Sequence, residues 1–136
     1  MTKKTTAAPA MFCNQCEMST PGGCGSDGQD IGTCLKDDTL ARLQDIMVYG
    51  VKGLSAYREH ARELGADTLA VDDVISETMY FTMTNVNFDF DQHIAQLMKL
   101  GSAGVQVMDL LSDGHTNRLG VPTPVSVSQI GWSPTL

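Results

Sequence analysis

Along the middle of the chain apolar residues recur at spacings of three and four, the period of helices that bury one face. The first run takes in Leu40, Leu43, Met47, Val51, Leu54, Tyr57, Ala61 and Leu64, with Arg42, Asp45, Lys52, Arg58 and Glu59 elsewhere on the wheel. Asp37, Asp38 and Thr39 supply capping and acidic side chains at its start, and Gly65 marks its end. Gly50 and Gly53 lie inside this run, each costing about 1 kcal/mol of helix propensity against Ala, so a close-packing role is expected of them. Asp67 or Thr68 caps a second helix, with Val71, Val74, Ile75, Thr78, Met79, Phe81 and Thr82 at helical spacing up to about Thr84. Asn85, Asn87 and Asp89 punctuate a turn, and Asp89 is the expected N-cap of a third helix. Its apolar stripe reads Phe90, Ile94, Leu97, Gly101, Val105, Met108 and Leu111, closing near Gly114. Three helices joined by short polar turns predict an all-α fold, an up-down-up bundle over residues 36–115.

The flanks read differently. Residues 1–10, MTKKTTAAPA, have a Lys pair but no apolar core for a secretory signal, and are expected to be a disordered leader. Residues 11–35 form a cysteine-rich loop carrying Pro21, Gly22, Gly23, Gly25, Gly28 and Gly32, a density read as excluding helix and strand. Residues 116–136, with Pro122, Pro124 and Pro134, read as an extended tail. The alternation Pro124 to Ser128 resembles a strand without a partner in this chain, which leaves open a missing domain, a second chain or a frayed terminus.

Composition narrows the function classes. At 136 residues and 42% hydrophobic, the chain has the size and apolar content of one domain. A net charge of −7, with nine scattered Lys and Arg, argues against a nucleic-acid partner. The most apolar stretch, Ile46 to Leu54, is short and contains Lys52, so no membrane span is expected.

The candidate chemistry is concentrated in Cys13, Cys16, Cys24 and Cys34, the only four cysteines, separated by two, seven and nine residues. Disulfides would staple this loop only to itself, so a reducing, cytoplasmic setting fits better. Four thiolates on a flexible, glycine-rich loop can hold an iron–sulfur cluster or a tetrahedral zinc. Only Cys13 and Cys16 make a close pair, whereas structural zinc usually takes two, so the spacing leans toward the bulkier cluster while leaving zinc open. Elsewhere, His60, His93 and His115 form no ligand spacing and are expected at solvated or core-edge positions. The pairs Asp37-Asp38 and Asp72-Asp73 are explained by helix dipoles, and the eight methionines by core filling.

The run MFCNQCEMSTPGGCG, then GTC and KDDTLARLQDIMVYGVKGLSAY, resembles the N-terminus of the hybrid-cluster (prismane) proteins, also called hydroxylamine reductases, and more distantly Ni–Fe carbon monoxide dehydrogenase. The most specific parts are the Phe-Cys-x-Gln-Cys opening and the Leu-Gln-Asp of the first helix. The resemblance extends over roughly residues 11–129 and includes the segment NRLGVPTP. It implies that Cys13, Cys16, Cys24 and Cys34 ligate a [4Fe-4S] cluster, supplied with electrons by a redox donor protein. Family members are several times longer, and their hybrid iron–sulfur–oxygen cluster, which reduces hydroxylamine, is bound by later domains. This chain therefore resembles a truncated member, with the cluster-binding domain but no hydroxylamine turnover of its own. Leu35 stands where the family usually has Gly, which is expected to crowd the loop. The rival reading is a zinc-binding structural or interaction module.

Overall fold

The computed structural model describes residues 13, 15–20, 23–24, 31–83 and 87–119. The expected leader, the glycines at 22, 25 and 28, and the tail beyond residue 119 lie outside the described residues.

Three helices make up the body: α1 (Asp38–Glu63), α2 (Leu69–Met83) and α3 (Phe90–Leu119). Asp37 caps α1, its Oδ1 accepting the Leu40 N–H at 2.7 Å. At the other end Gly65 adopts φ +89°, and Ala66 N–H reaches back to Ala61 O at 3.1 Å, a left-handed closure that satisfies carbonyls α1 leaves over. Asp67 Oδ1 accepts from Leu69 N–H at the start of α2. Asp89 caps α3 as expected, accepting from both the backbone and the side chain of Gln92 at 3.0 Å.

The helices run up-down-up. Gly50 on α1 faces Leu100 on α3 and Leu64 faces Gly114, so α1 and α3 are parallel. The antiparallel α2 is tied to α1 by Arg58–Asp72 and to α3 by Gln96–Thr78. Val51, Leu54, Ala61, Val71, Leu100, Ala103, Val107 and Leu111 form the core. The all-α bundle of the sequence reading is the fold.

Three local expectations are corrected. Glycine density does not exclude strand pairing in the cysteine segment: β1 (Ser19–Thr20) pairs antiparallel with β2 (Gly23–Cys24). A ladder this short needs only local pairing, and the intervening sequence is Pro21-Gly22, a favoured turn dipeptide. The buried face of α3 is rotated from the expected stripe, with Phe90 and Val105 exposed while His93, Gln96, Leu100, Ala103, Val107 and Leu111 are buried. Two of these positions are polar, so hydropathy alone misplaces the face. Finally, α3 passes through Gly114 to Leu119, making the first four positions of the expected tail helical. Leu64 packs where a side chain at 114 would stand, its Cβ 2.9 Å from a Cβ built there.

Asp72 lies in the first turn of α2, as the dipole reading expects, and also joins two helices. Its carboxylate accepts from Nε and Nη2 of Arg58, the latter at 2.6 Å, and from the Thr68 hydroxyl at 3.3 Å. The Arg58 hydrogen bonds hold its pKa below the usual Asp value, against the opposing effect of burial. A carboxyl lowered in the folded state stabilises above its unfolded pKa of about 4, and loses that contribution as pH falls through the folded value.

Gly53 has open space around it, whereas a Cβ on Gly50 would stand 2.7 Å from Cδ2 of buried Leu100. Gly53→Ala should stabilise by about 0.5–1 kcal/mol in denaturant titrations. Gly50→Ala should fail to stabilise, because overpacking of about 1–3 kcal/mol outweighs the gain in propensity. Asp72→Asn should lower the urea midpoint at about pH 6, and the gap from the parent should narrow as pH falls below about 4; a gap independent of pH would contradict the linkage.

Candidate metal centre

The cysteine segment lies at the end of the bundle where α1 begins. Cys13 and Cys24 are both buried and pack together with Ala41 of the first turn of α1. Ser19 donates through its hydroxyl to the Cys13 carbonyl, and its N–H reaches Cys16 O at 3.4 Å, which folds residues 13–19 back on themselves. Cys34 is half-buried and Cys16 exposed, and all four thiols are free.

Residues 31–37 form a tight reversal that sets both Cys34 and the helix start. Ile31 bridges Asp37, Gly32 N–H donates to Lys36 O at 2.7 Å, and Leu35 N–H donates to Gly32 O at 2.8 Å. Leu35 takes φ +70°, the left-handed position that closes three-residue hairpin loops. A side chain there costs about 1–2 kcal/mol, a strain that Gly would not carry. The expected crowding is not observed: the Leu35 side chain is 80% exposed, so the cost lies in the backbone.

One residue further on, Lys36 turns inward and is fully buried. Its Nζ lies 3.9 Å from Cys13 Sγ and donates to Gln44 Oε1 at 2.7 Å. Gln44 Nε2 in turn donates to His93 Nε2 at 3.0 Å, and His93 Nδ1–H donates to Asp89 O at 2.7 Å. A chain of buried polar groups therefore connects the cysteine segment through α1 to the start of α3. Among the described residues no buried side-chain nitrogen or oxygen lacks a partner. The sequence reading missed Lys36 and Gln44 and placed His93 at a solvated or core edge; it is completely buried. His60 and His115 do lie near solvent, but their Nε2 atoms come within 3.3 Å of each other, a proximity the parallel register of α1 and α3 produces.

The donor set suits a group liganded by thiolates. Two soft sulfur donors are buried side by side, two more lie in the same N-terminal segment, and a buried amino group faces one sulfur, where an anion is favoured. Among the described residues, no three His, Cys, Asp or Glu side chains converge as a single-ion site requires. No described helix is long and apolar enough to cross a membrane.

The sequence pattern of the Prismane/CO dehydrogenase family matches residues 11–93, more than half of the chain, and the chain belongs to that family. It is 44% identical over 118 residues to a hydroxylamine reductase of Moorella thermoacetica, covering 87% of this chain and 27% of that protein. A hydroxylamine reductase of Thermotoga maritima is 42% identical over 118 residues, covering 86% of this chain and 26% of its own length. That of Methanothermobacter thermautotrophicus is 39% identical over 117 residues, covering 86% and 27%. The chain thus spans about a quarter of the length of the curated relatives it matches.

The backbone at residue 35 yields a direct test. Leu35→Gly should raise stability by up to about 1 kcal/mol in chemical denaturation, since relief of the left-handed strain exceeds the entropy glycine adds to the unfolded chain. A loss of about 1 kcal/mol, as at an ordinary exposed position, would contradict the strained turn.

Proposed function

We propose that this chain is the cluster-binding helical domain of a hydroxylamine-reductase-like protein, with Cys13, Cys16, Cys24 and Cys34 ligating a [4Fe-4S] cluster. Membership of the Prismane/CO dehydrogenase family supports an iron–sulfur cofactor in general. The observation that carries the reading to these residues is the buried pair Cys13 and Cys24 with Lys36 Nζ against the Cys13 sulfur. When bound, such a cluster supplies reversible one-electron transfer.

The chain's own residues bind and shield. Cys13 and Cys24 provide ligands from a water-poor site, Cys34 is presented from the 31–37 reversal, and Cys16 stands toward solvent, where an electron donor protein would approach. Asp37 fixes the first turn of α1, and Ala41 presents only a methyl group to the two buried thiols. The zinc alternative is less well supported, because structural zinc usually takes its ligands as two close pairs and only Cys13 and Cys16 make one. In a cluster each thiolate takes its own iron, which leaves the sulfurs further apart. Hydroxylamine reduction belongs to the longer relatives by name, and in this reading it needs groups beyond these 136 residues. A reducing, cytoplasmic setting suits free thiols of this kind.

Anaerobic reconstitution with iron and sulfide tests the reading. About four iron and four sulfide should bind per chain, with broad visible absorbance. Cys13→Ser and Cys24→Ser should each sharply reduce that content, and the loaded chain should not turn over hydroxylamine. Zinc as the only tightly held metal, without the absorbance, would overturn the assignment; turnover by the pure chain would overturn its division of labour.

A further inference from the structure

We propose that Lys36 sets the reduction potential of the iron–sulfur group held by Cys13, through a positive charge that Gln44 and His93 hold in place. The inference rests on the cluster reading above and adds a residue to it that is not a ligand. Lys36 is fully buried, and its Nζ stands 3.9 Å from Cys13 Sγ. Reduction adds negative charge to a thiolate-bound cluster, and a cation at a ligand sulfur favours the more negative state. The effect is large where water cannot screen it, and Cys13, Lys36, Gln44 and His93 are all buried.

The orientation of the chain is determined at each link. Gln44 Oε1 accepts from Lys36, so its Nε2 must donate to His93 Nε2. That makes His93 the Nδ1–H tautomer, and the Nδ1–H is taken up by Asp89 O. Turning the Gln44 amide over would set its NH2 group against the Lys36 amino group and an oxygen against the lone pair of His93. Gln44 thus tethers the Lys36 amino group with its Nζ 3.9 Å from the sulfur, and α3 holds the last link. A lysine placed only to tie the loop to the bundle would not need its charge at a cysteine.

The test uses the whole chain, reconstituted anaerobically and titrated against redox mediators, with visible absorbance and electron paramagnetic resonance as readouts. Lys36→Met and Lys36→Gln should retain iron and sulfide while reduction becomes about tenfold less favourable, a midpoint about 59 mV lower. Lys36→Arg, which keeps the charge, should restore most of the parent potential. Neutral variants that keep their cluster at the parent potential would overturn the role of Lys36 and leave the ligand assignment standing. A parent chain that takes up no iron would instead overturn the cluster reading itself. Should the neutral variants fail to fold or load, Gln44→Met carries the test, since it keeps Lys36 but removes its tether. A lower midpoint in that variant supports the proposal, and an unchanged one overturns it.

Discussion

An amino group taken out of water must be met by hydrogen bonds and by negative charge, and at the cysteine end of this bundle Lys36 imposes that requirement. Gln44 meets it from α1, and the Cys13 sulfur faces it from the loop. His93 completes the chain from α3 and closes it on the carbonyl of the residue that caps that helix. The same contacts thus register the loop against two helices and hold a positive group where thiolates would need compensation. Fold and site meet in one hydrogen-bond chain, so a change at Gln44 or His93 reaches the cysteines without touching them.

The rest of the bundle is arranged so that this end can be rigid. Close approach of α1 and α3 at Gly50 brings buried Leu100 against the helix, and the crossing at Gly114 does the same with Leu64. Their parallel course carries Gln44 to His93 at one end and His60 to His115 at the other. The antiparallel α2 is fastened by the Arg58–Asp72 pair and by Gln96 donating to the Thr78 hydroxyl at 2.9 Å. Polar groups inside α2 and α3 are therefore matched across the interface and do not weaken it.

Much of the fold could be read from periodicity. The α1 stripe from Leu40 to Ala61, the Asp37 and Asp89 caps and the stop at Gly65 all depend on local physics, and the structure places them as that physics requires. The buried face of α3 was not legible, because His93 and Gln96 look like surface residues until Gln44 and Thr78 are known to face them. Gly50 and Gly53 look alike in sequence, yet only Gly50 meets another helix. At the site, the cysteines were conspicuous by type and by proximity in the chain. Lys36 was not, since a lysine beside a helix cap is ordinarily solvated, and only the reversal at residues 32–35 turns it inward. Leu35 shows the converse: its anomaly was legible as an unexpected side chain, but its physical form, a positive φ with the side chain in solvent, required coordinates.

On the proposed reading, thiolates from one short segment enclose an iron–sulfur group at the Lys36 end of the bundle. Electron paramagnetic resonance of the anaerobically prepared, dithionite-reduced chain, read together with its iron content, tests it most directly. A half-integer-spin iron–sulfur signal is expected in the parent chain, lost together with the bound iron when Cys13 and Cys24 are replaced by Ser. A reduced chain that binds iron with the same signal after both cysteines are gone, or a parent chain with no such signal, would contradict that reading.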